Sequence, residues 1–303
     1  FGIKTEEVVN FKQPGVDSIT LNRVIGKEKS LINGALNAEG QVWILNSNGV
    51  LFGENAKVNT SGLLATTKNL SNKDFREGNY EFTGKSQQAV INKGKINISN
   101  QGYTALLGKE VVNEGLIQAE LGEVHLRGGK KFSLDLNGNS LVNLTVTEGE
   151  LNALVENREA IRADGGEVYL TTNAVDKLLK GVVNNDGIIE ANSIADVMEN
   201  EENIAAEGRI EVFAHGGTAN IDGKLNASAP FEEDGGFIET SGKEVNVTAG
   251  TEISTTAKNG KTGKWLIDPT DFTIETGSVS QSNSGIGADT LENNLENNEV
   301  EIA

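Results

Sequence analysis

Four glutamates could support acid–base chemistry if the fold brought them together. Glu123, Glu167, Glu211 and Glu244 sit in similar short units: Gly122-Glu123-Val124-His125-Leu126, Gly166-Glu167-Val168-Tyr169-Leu170, Gly208-Arg209-Ile210-Glu211-Val212 and Lys243-Glu244-Val245-Asn246-Val247. A glycoside hydrolase needs two carboxylates about 5 to 10 Å apart in a groove, usually with aromatic platforms. Aromatic residues make up 5% of this chain, too few to line a sugar cleft. On a strand of period two, a Glu between apolar residues is first of all the outward-facing one. His125 and His215 have no second ligand at metal spacing and no Ser-His-Asp partners, so both read as ordinary residues of the repeat. The Gly-Gly pairs at 128–129, 216–217 and 235–236 belong to no phosphate-binding pattern, and no G-G-x-G-x-D calcium tract is present. No catalytic residue, cofactor or metal is expected. The competing reading is a polysaccharide lyase or hydrolase with Glu167 and Glu211 as its carboxylate pair.

The elements that would carry these residues repeat. Val90-Ile91-Asn92-Lys93-Gly94-Lys95-Ile96-Asn97-Ile98 aligns with Val111-Val112-Asn113-Glu114-Gly115-Leu116-Ile117-Gln118-Ala119, 21 residues on. Copies return at Val182-Val183-Asn184-Asn185-Asp186-Gly187-Ile188-Ile189 and, more loosely, at Ala219-Asn220-Ile221-Asp222-Gly223-Lys224-Leu225. Each unit is a short alternating strand bounded by Asn, Gly or Asp. A single coil of two or three such strands cannot bury its apolar face, whereas stacked coils share one core. The expected fold is all-β, a right-handed parallel β-helix. Asn at the coil corners should supply positive-φ turns and bond amide to amide in a ladder. A β-sandwich would instead show antiparallel hairpins throughout.

Composition agrees. The 303 residues include 36 Gly and 3 Pro, 37% are hydrophobic, and the net charge is −18, with 44 acidic against 26 basic residues. That balance argues against a nucleic-acid partner, because a phosphate backbone is held by clustered Lys and Arg. No Cys is present, so neither a disulfide nor a thiolate metal site can form. No run of 18 apolar residues exists to span a bilayer as a helix.

Within Ile44-Leu45-Asn46-Ser47-Asn48-Gly49-Val50-Leu51-Phe52-Gly53, apolar runs flank a polar knot. Asn-Gly between apolar runs is a strong turn signal, since both residues tolerate positive φ. Residues 9–67 carry further pieces: F-x-Q-P at Phe11, Leu21-Asn22-Arg23-Val24, I-x-G-x-L-x-A-x-G-x-V-x-I-L-N from Ile32, and Gly62-Leu63-Leu64-Ala65-Thr66-Thr67. With GGFIETSG and WLIDPTDFTI further on, these resemble the secretion domain of the filamentous haemagglutinin family, the exoproteins of bacterial two-partner secretion. The resemblance implies a domain that directs a large adhesin-like or haemagglutinin-like exoprotein to the periplasmic domains of its cognate outer-membrane transporter. It also implies that the domain nucleates β-helix folding at the cell surface. The product is expected to be secreted or held at the surface, to be monomeric, and to meet host or bacterial targets through regions beyond these residues. The motif residues are Asn46, Ser47, Asn48, Gly49, Asn22 and Arg23. The family's turn is usually Asn-Pro-Asn-Gly, and Ser47 stands at the Pro position.

Four segments are expected: N-terminal coils over 1–67 with capping strands truncated, an extra-helical loop or hairpin over 68–88, coils over 89–268, and a C-terminal segment over 269–303 leading to a remainder. Short helices are expected within Glu148 to Ala163, where Leu151, Leu154, Val155 and Ile161 have helical spacing, from Asn173 to Leu179, and, capped, from Asp289 to Glu296.

Overall fold

The computed structural model describes residues 1–136, 142–173, 181–199 and 202–303. Its strands stack in parallel on three faces of a continuous coil. The first face includes Ser30–Ile32, Val50–Phe52, Ala89–Asn92, Glu110–Asn113, Leu154–Asn157 and Val182–Asn185, each paired in parallel with the next. The second runs from Val8–Phe11 through Ala35–Ala38, the start of Lys57–Thr66 and of Lys95–Gly108, then Leu116–Ala119, Ala160–Arg162, Ile188–Glu190, Lys224–Asn226 and Glu252–Ser254. The third begins at Ile19–Arg23 and Gln41–Leu45 and ends at Lys264–Pro269 and Glu299–Ile302. This is the parallel β-helix that the repeat demands. Inward residues at period two, among them Val58, Ile96, Ile117, Ile161, Ile189 and Leu225, form one core along the rod.

The third face departs from alternation in its early coils. Val42 and Ile44 point into the rod, while Trp43 and Leu45 point out and are equally buried. A second apolar core lies there, between Trp43, Leu64, Tyr103 and Leu107 on the coils and Phe82, Phe132, Leu134 and Val146 on an outer layer. Strands covered on both faces read as continuous apolar runs, which Val42-Trp43-Ile44-Leu45 is.

Residues 68–88, expected as an extra-helical loop or hairpin, contribute to that outer layer, and their ends meet in an antiparallel bridge between Asn69 and Thr83. The segment folds into a helix, Asn72–Glu77, capped by the Ser71 hydroxyl, and a strand, Tyr80–Thr83. The strand's antiparallel partner is Lys131–Leu136, which pairs in turn with Val142–Glu148. Phe82 and Phe132 are directly opposite and fully buried. The buried Lys68 ammonium anchors the segment, reaching the carbonyls of Gly84 and Ser86 at 3.4 and 3.3 Å and Glu150 at 3.9 Å.

The helix expected within Glu148 to Ala163 is absent. Leu154–Asn157 and Ala160–Arg162 are a further coil, paired with Glu110–Asn113 and with Leu116, Ile117 and Gln118. Tertiary pairing outweighs the local helical spacing, because Val155, Asn157 and Ile161 fill the interior at period two while Leu151 stays exposed. After its first residue, the helix expected from Asn173 to Leu179 falls outside the described residues. The C-terminal one is present as Ala288–Leu295, without a side-chain cap at Gly287.

Candidate functional site

The polar knot at 46–49 is one turn of backbone at a coil corner. Gly49 N–H donates to Asn46 O at 3.0 Å, placing Ser47 and Asn48 at the two central positions. Gly49 has φ +103°; Asn48 does not share the positive φ expected of it. Instead, the asparagines act through their side chains. The fully buried Asn46 amide donates to Glu28 O at 2.9 Å and Ser30 Oγ at 3.0 Å, and its Oδ1 accepts from Asn48 N at 2.9 Å. Asn48 Nδ2 donates to Gly26 O at 2.8 Å. On the following coil, Ser86 Oγ donates to Ser47 O at 2.6 Å. Three successive corners are therefore tied by these four side-chain hydrogen bonds, and Ser47 itself is exposed.

The other two motif residues lie apart from this turn. Asn22 Nδ2 reaches Trp43 O at 3.5 Å along the third face. Arg23 extends to the 68–88 segment, bonding Asn69 Oδ1 at 3.1 Å, Asn72 Oδ1 and Leu70 O. One guanidinium thus holds the start of the outer layer against the first coils. This long-range contact left no local signal in the sequence.

The corner asparagines farther along do form the expected ladder, without positive φ. Asn92, Asn113, Asn157 and Asn185, all 0% exposed, are linked Nδ2 to Oδ1 at 2.8, 2.9 and 2.8 Å. Each also bonds the backbone two residues on, as Asn92 does with Gly94, which closes the corner.

The glutamate units are brought together in register on the third face: Glu123 beside Glu167, His125 beside Tyr169, Glu167 beside Arg209, and Tyr169 beside Glu211. Glu244 belongs to another face, where Thr218 Oγ1 donates to it at 3.0 Å. The open outward face expected for Glu123 is not found, because the strand Val142–Glu148 covers it and its neighbour His125. His125 Nε2 lies 2.7 Å from Glu123 Oε2, Val142 N–H reaches both Glu123 oxygens at 3.3 Å, and Arg127 lies 3.1 Å from His125 Nδ1. Tyr169 stacks on the His125 ring at 4.9 Å and donates its hydroxyl to Glu167. Burial pushes the Glu123 carboxyl up to about 7 and holds His125 well below its ordinary value. A cleft of about 290 Å³ borders this stack. His215 is half-buried and stacks on Phe213. Glu211 is bound by Arg209, so the two proposed catalytic carboxylates already have protein partners.

A family profile described as TPS secretion domain matches residues 1–221. The chain belongs to the TPS secretion domain family. These two-partner secretion domains are parts of large exoproteins. Among similar proteins, a heme/hemopexin-binding protein of Haemophilus influenzae is 31% identical over 296 residues, covering 84% of this chain and 31% of that protein. Another, from Haemophilus influenzae strain Rd, is 34% identical over 188 residues, covering 59% of this chain and 20% of the relative. The chain thus spans less than a third of the length of these relatives. The crystal structure of the HMW1 secretion domain from Haemophilus influenzae superposes with a TM-score of 0.68 at 22% identity, covering 100% of this chain and 91% of that one, which shows the shared fold. As a TPS secretion domain, the chain carries the 46–49 turn, Asn22 and Arg23 in its first coils, all within the matched region.

Proposed function

We propose that this domain delivers its exoprotein to a cognate outer-membrane transporter by engaging that transporter's periplasmic domains, and that it then starts β-helix folding at the cell surface. The observation that carries this is the coil architecture itself: among the described residues, the strands of the three faces pair in parallel with their counterparts on the neighbouring coil, so a coil can add to a finished one. Folding that advances coil by coil outside the membrane opposes back-sliding by mass action, with no other energy source required. The absence of Cys suits a chain that must cross unfolded, since no disulfide can lock it beforehand. The exoprotein is then released or held at the surface, and a heme- or hemopexin-directed activity, as named for the relatives, would reside in the whole protein. The domain itself is non-catalytic in this reading, which the pairing of Glu123, Glu167 and Glu211 with His125, Tyr169 and Arg209 supports.

The test is release of the full-length exoprotein with and without its transporter, alongside surface plasmon resonance of the transporter's periplasmic domains against folded and denatured forms of this chain. Transporter-dependent release and binding by at least one form are expected. Release that persists without the transporter would refute the reading. Turnover of pectin, heparin or chitin fragments, abolished by Glu167→Gln or Glu211→Gln, would restore the enzyme reading.

A further inference from the structure

We infer that the outer layer binds the early coils into one cooperative folding unit, closed by docking of the strands Lys131–Leu136 and Val142–Glu148, onto which the later coils add. This rests on the folding part of the reading above and gives that folding a starting point. The second core draws on three stretches of chain, none of which can bury its apolar groups without the others. The coils supply Trp43, Leu64 and Tyr103, the 68–88 segment Phe82, and the later strand pair Phe132 and Val146. Trp43 is the junction. Its ring meets Phe75, Tyr80 and Phe82 at 5.7, 4.9 and 5.7 Å. Its indole N–H donates to the Tyr103 hydroxyl, two coils on, at 2.8 Å, and that hydroxyl donates to Gln41 Oε1 at 2.7 Å.

Polar ties reach further along the rod than the apolar contacts. Arg23 fastens the layer to the first coil, Val142 N–H fastens it to Glu123, and Asn173 Nδ2 donates to Val146 O at 3.1 Å. The layer thus touches third-face strands from Ile19–Arg23 to Glu167–Asn173. The central outward column of that face shows where the cover ends. Trp43, Leu64, Ala105, His125, Tyr169 and Glu211 follow one another in register. The first four are buried and the last two half-buried. Among the described residues, the second core takes no member beyond Val146.

In a simple stack each coil touches only its neighbours, so stability is a sum of local contributions and end coils fray. Founding the stack is the unfavourable step, because the first coils lose backbone entropy before they have neighbours on both sides. A shared second core changes this at one end of the rod. It couples coils that do not touch, and opening any of them uncovers apolar groups of the rest. Closure waits for Lys131–Leu136 to reach Tyr80–Thr83, a delay whose entropic cost grows only slowly with the length of the intervening chain. Past Asn173, each coil has a finished one to add to and takes no part in the second core.

The experiment follows refolding and native-state hydrogen exchange of the 303-residue chain in the absence of transporter. It compares Phe132→Ala in the second core with Ile238→Ala in the inner core of a later coil, both side chains being fully buried. Phe132→Ala should slow refolding by about tenfold or more and speed exchange together in 41–45, 62–66 and 103–107. Ile238→Ala should leave the refolding rate within about twofold and speed exchange only from residue 209 onward. If Phe132→Ala prevents folding, Val146→Ala makes the same comparison with a smaller loss. Faster exchange confined to 80–83 and 131–148 would make the layer an ornament and overturn the inference. Equal slowing of refolding by both variants would overturn it too, as would faster exchange along the whole rod for both. Release of the exoprotein without its transporter would remove the delivery reading and leave this folding order standing.

Discussion

Two asparagine ladders run along this rod, one inside the coil corners and one outside. The inner ladder, Asn92 to Asn185, is fully buried. The outer ladder, Asn10, Asn37, Asn59 and Asn97 on the second face, has the same geometry, with Nδ2 to Oδ1 distances of 2.9, 2.8 and 3.0 Å, but it meets solvent. Identical bonds therefore have different consequences. Water replaces a lost partner on the outside, whereas a buried amide left unpaired keeps its full desolvation penalty. The inner ladder sets the corner of each coil; the outer one decorates a face whose shape the backbone has already fixed.

The largest expected effect breaks the inner ladder. Asn113 accepts from Asn92, donates to Asn157 and bonds Gly115, so Asn113→Ala strands several buried groups at once. It should destabilise the domain by about 3 to 4 kcal/mol in denaturant unfolding. A loss below about 1 kcal/mol would mean the corner does not depend on its amide.

A second effect sets the neutral ladders against the titratable stack at Glu123. A carboxyl raised to about 7 in the fold binds its proton more tightly folded than unfolded. Its stabilising contribution is complete below the unfolded value of 4.5 and is lost as pH rises through about 7. His125, lowered by burial, acts in the opposite sense, losing stability as pH falls below its unfolded value of 6.5. The two offset each other in the intact protein, and Glu123→Gln removes the first. Between pH about 4.5 and about 8, wild-type stability minus that of the Gln variant should fall by about 2 to 3 kcal/mol. The difference between wild type and Asn113→Ala should stay flat over the same range, and a flat result for Glu123→Gln would discard the buried, proton-holding carboxyl.

Gly49→Val comes next, on the order of 2 kcal/mol, because a β-branched residue fits φ +103° poorly. Thermal unfolding together with the secreted fraction would separate strain from contact: a variant with wild-type melting but lost release would make the turn itself the contact surface. Asn37→Ala in the outer ladder should cost less than about 1 kcal/mol, and a loss equal to that of Asn113→Ala would erase the distinction between the ladders. Smallest is Ser47→Pro, neutral to about 1 kcal/mol stabilising, since Pro suits the first central position of this turn. A clear loss of melting temperature there would show that the turn needs another φ.

The amino-acid sequence by itself determined the coil. Alternating Val, Ile and Leu at a repeat of coil length leave one solution in which every apolar face is covered, and Asn at the same corner of each copy already implied a ladder. Continuous apolar runs such as Val42 to Leu45 take their meaning from the outer layer packed on Trp43 and Leu45. Only the tertiary structure decided what covers them. The strand Tyr80–Thr83 finds its partner about 50 residues later at Lys131–Leu136, and no local pattern encodes a pairing at that distance. The same limit hid the coil at Leu154–Asn157, whose helical spacing is overruled by the neighbours it stacks on, and the burial of Glu123, which follows from the strand laid over it. Periodicity reports which face a residue points to; what lies on that face depends on contacts between residues far apart in the chain.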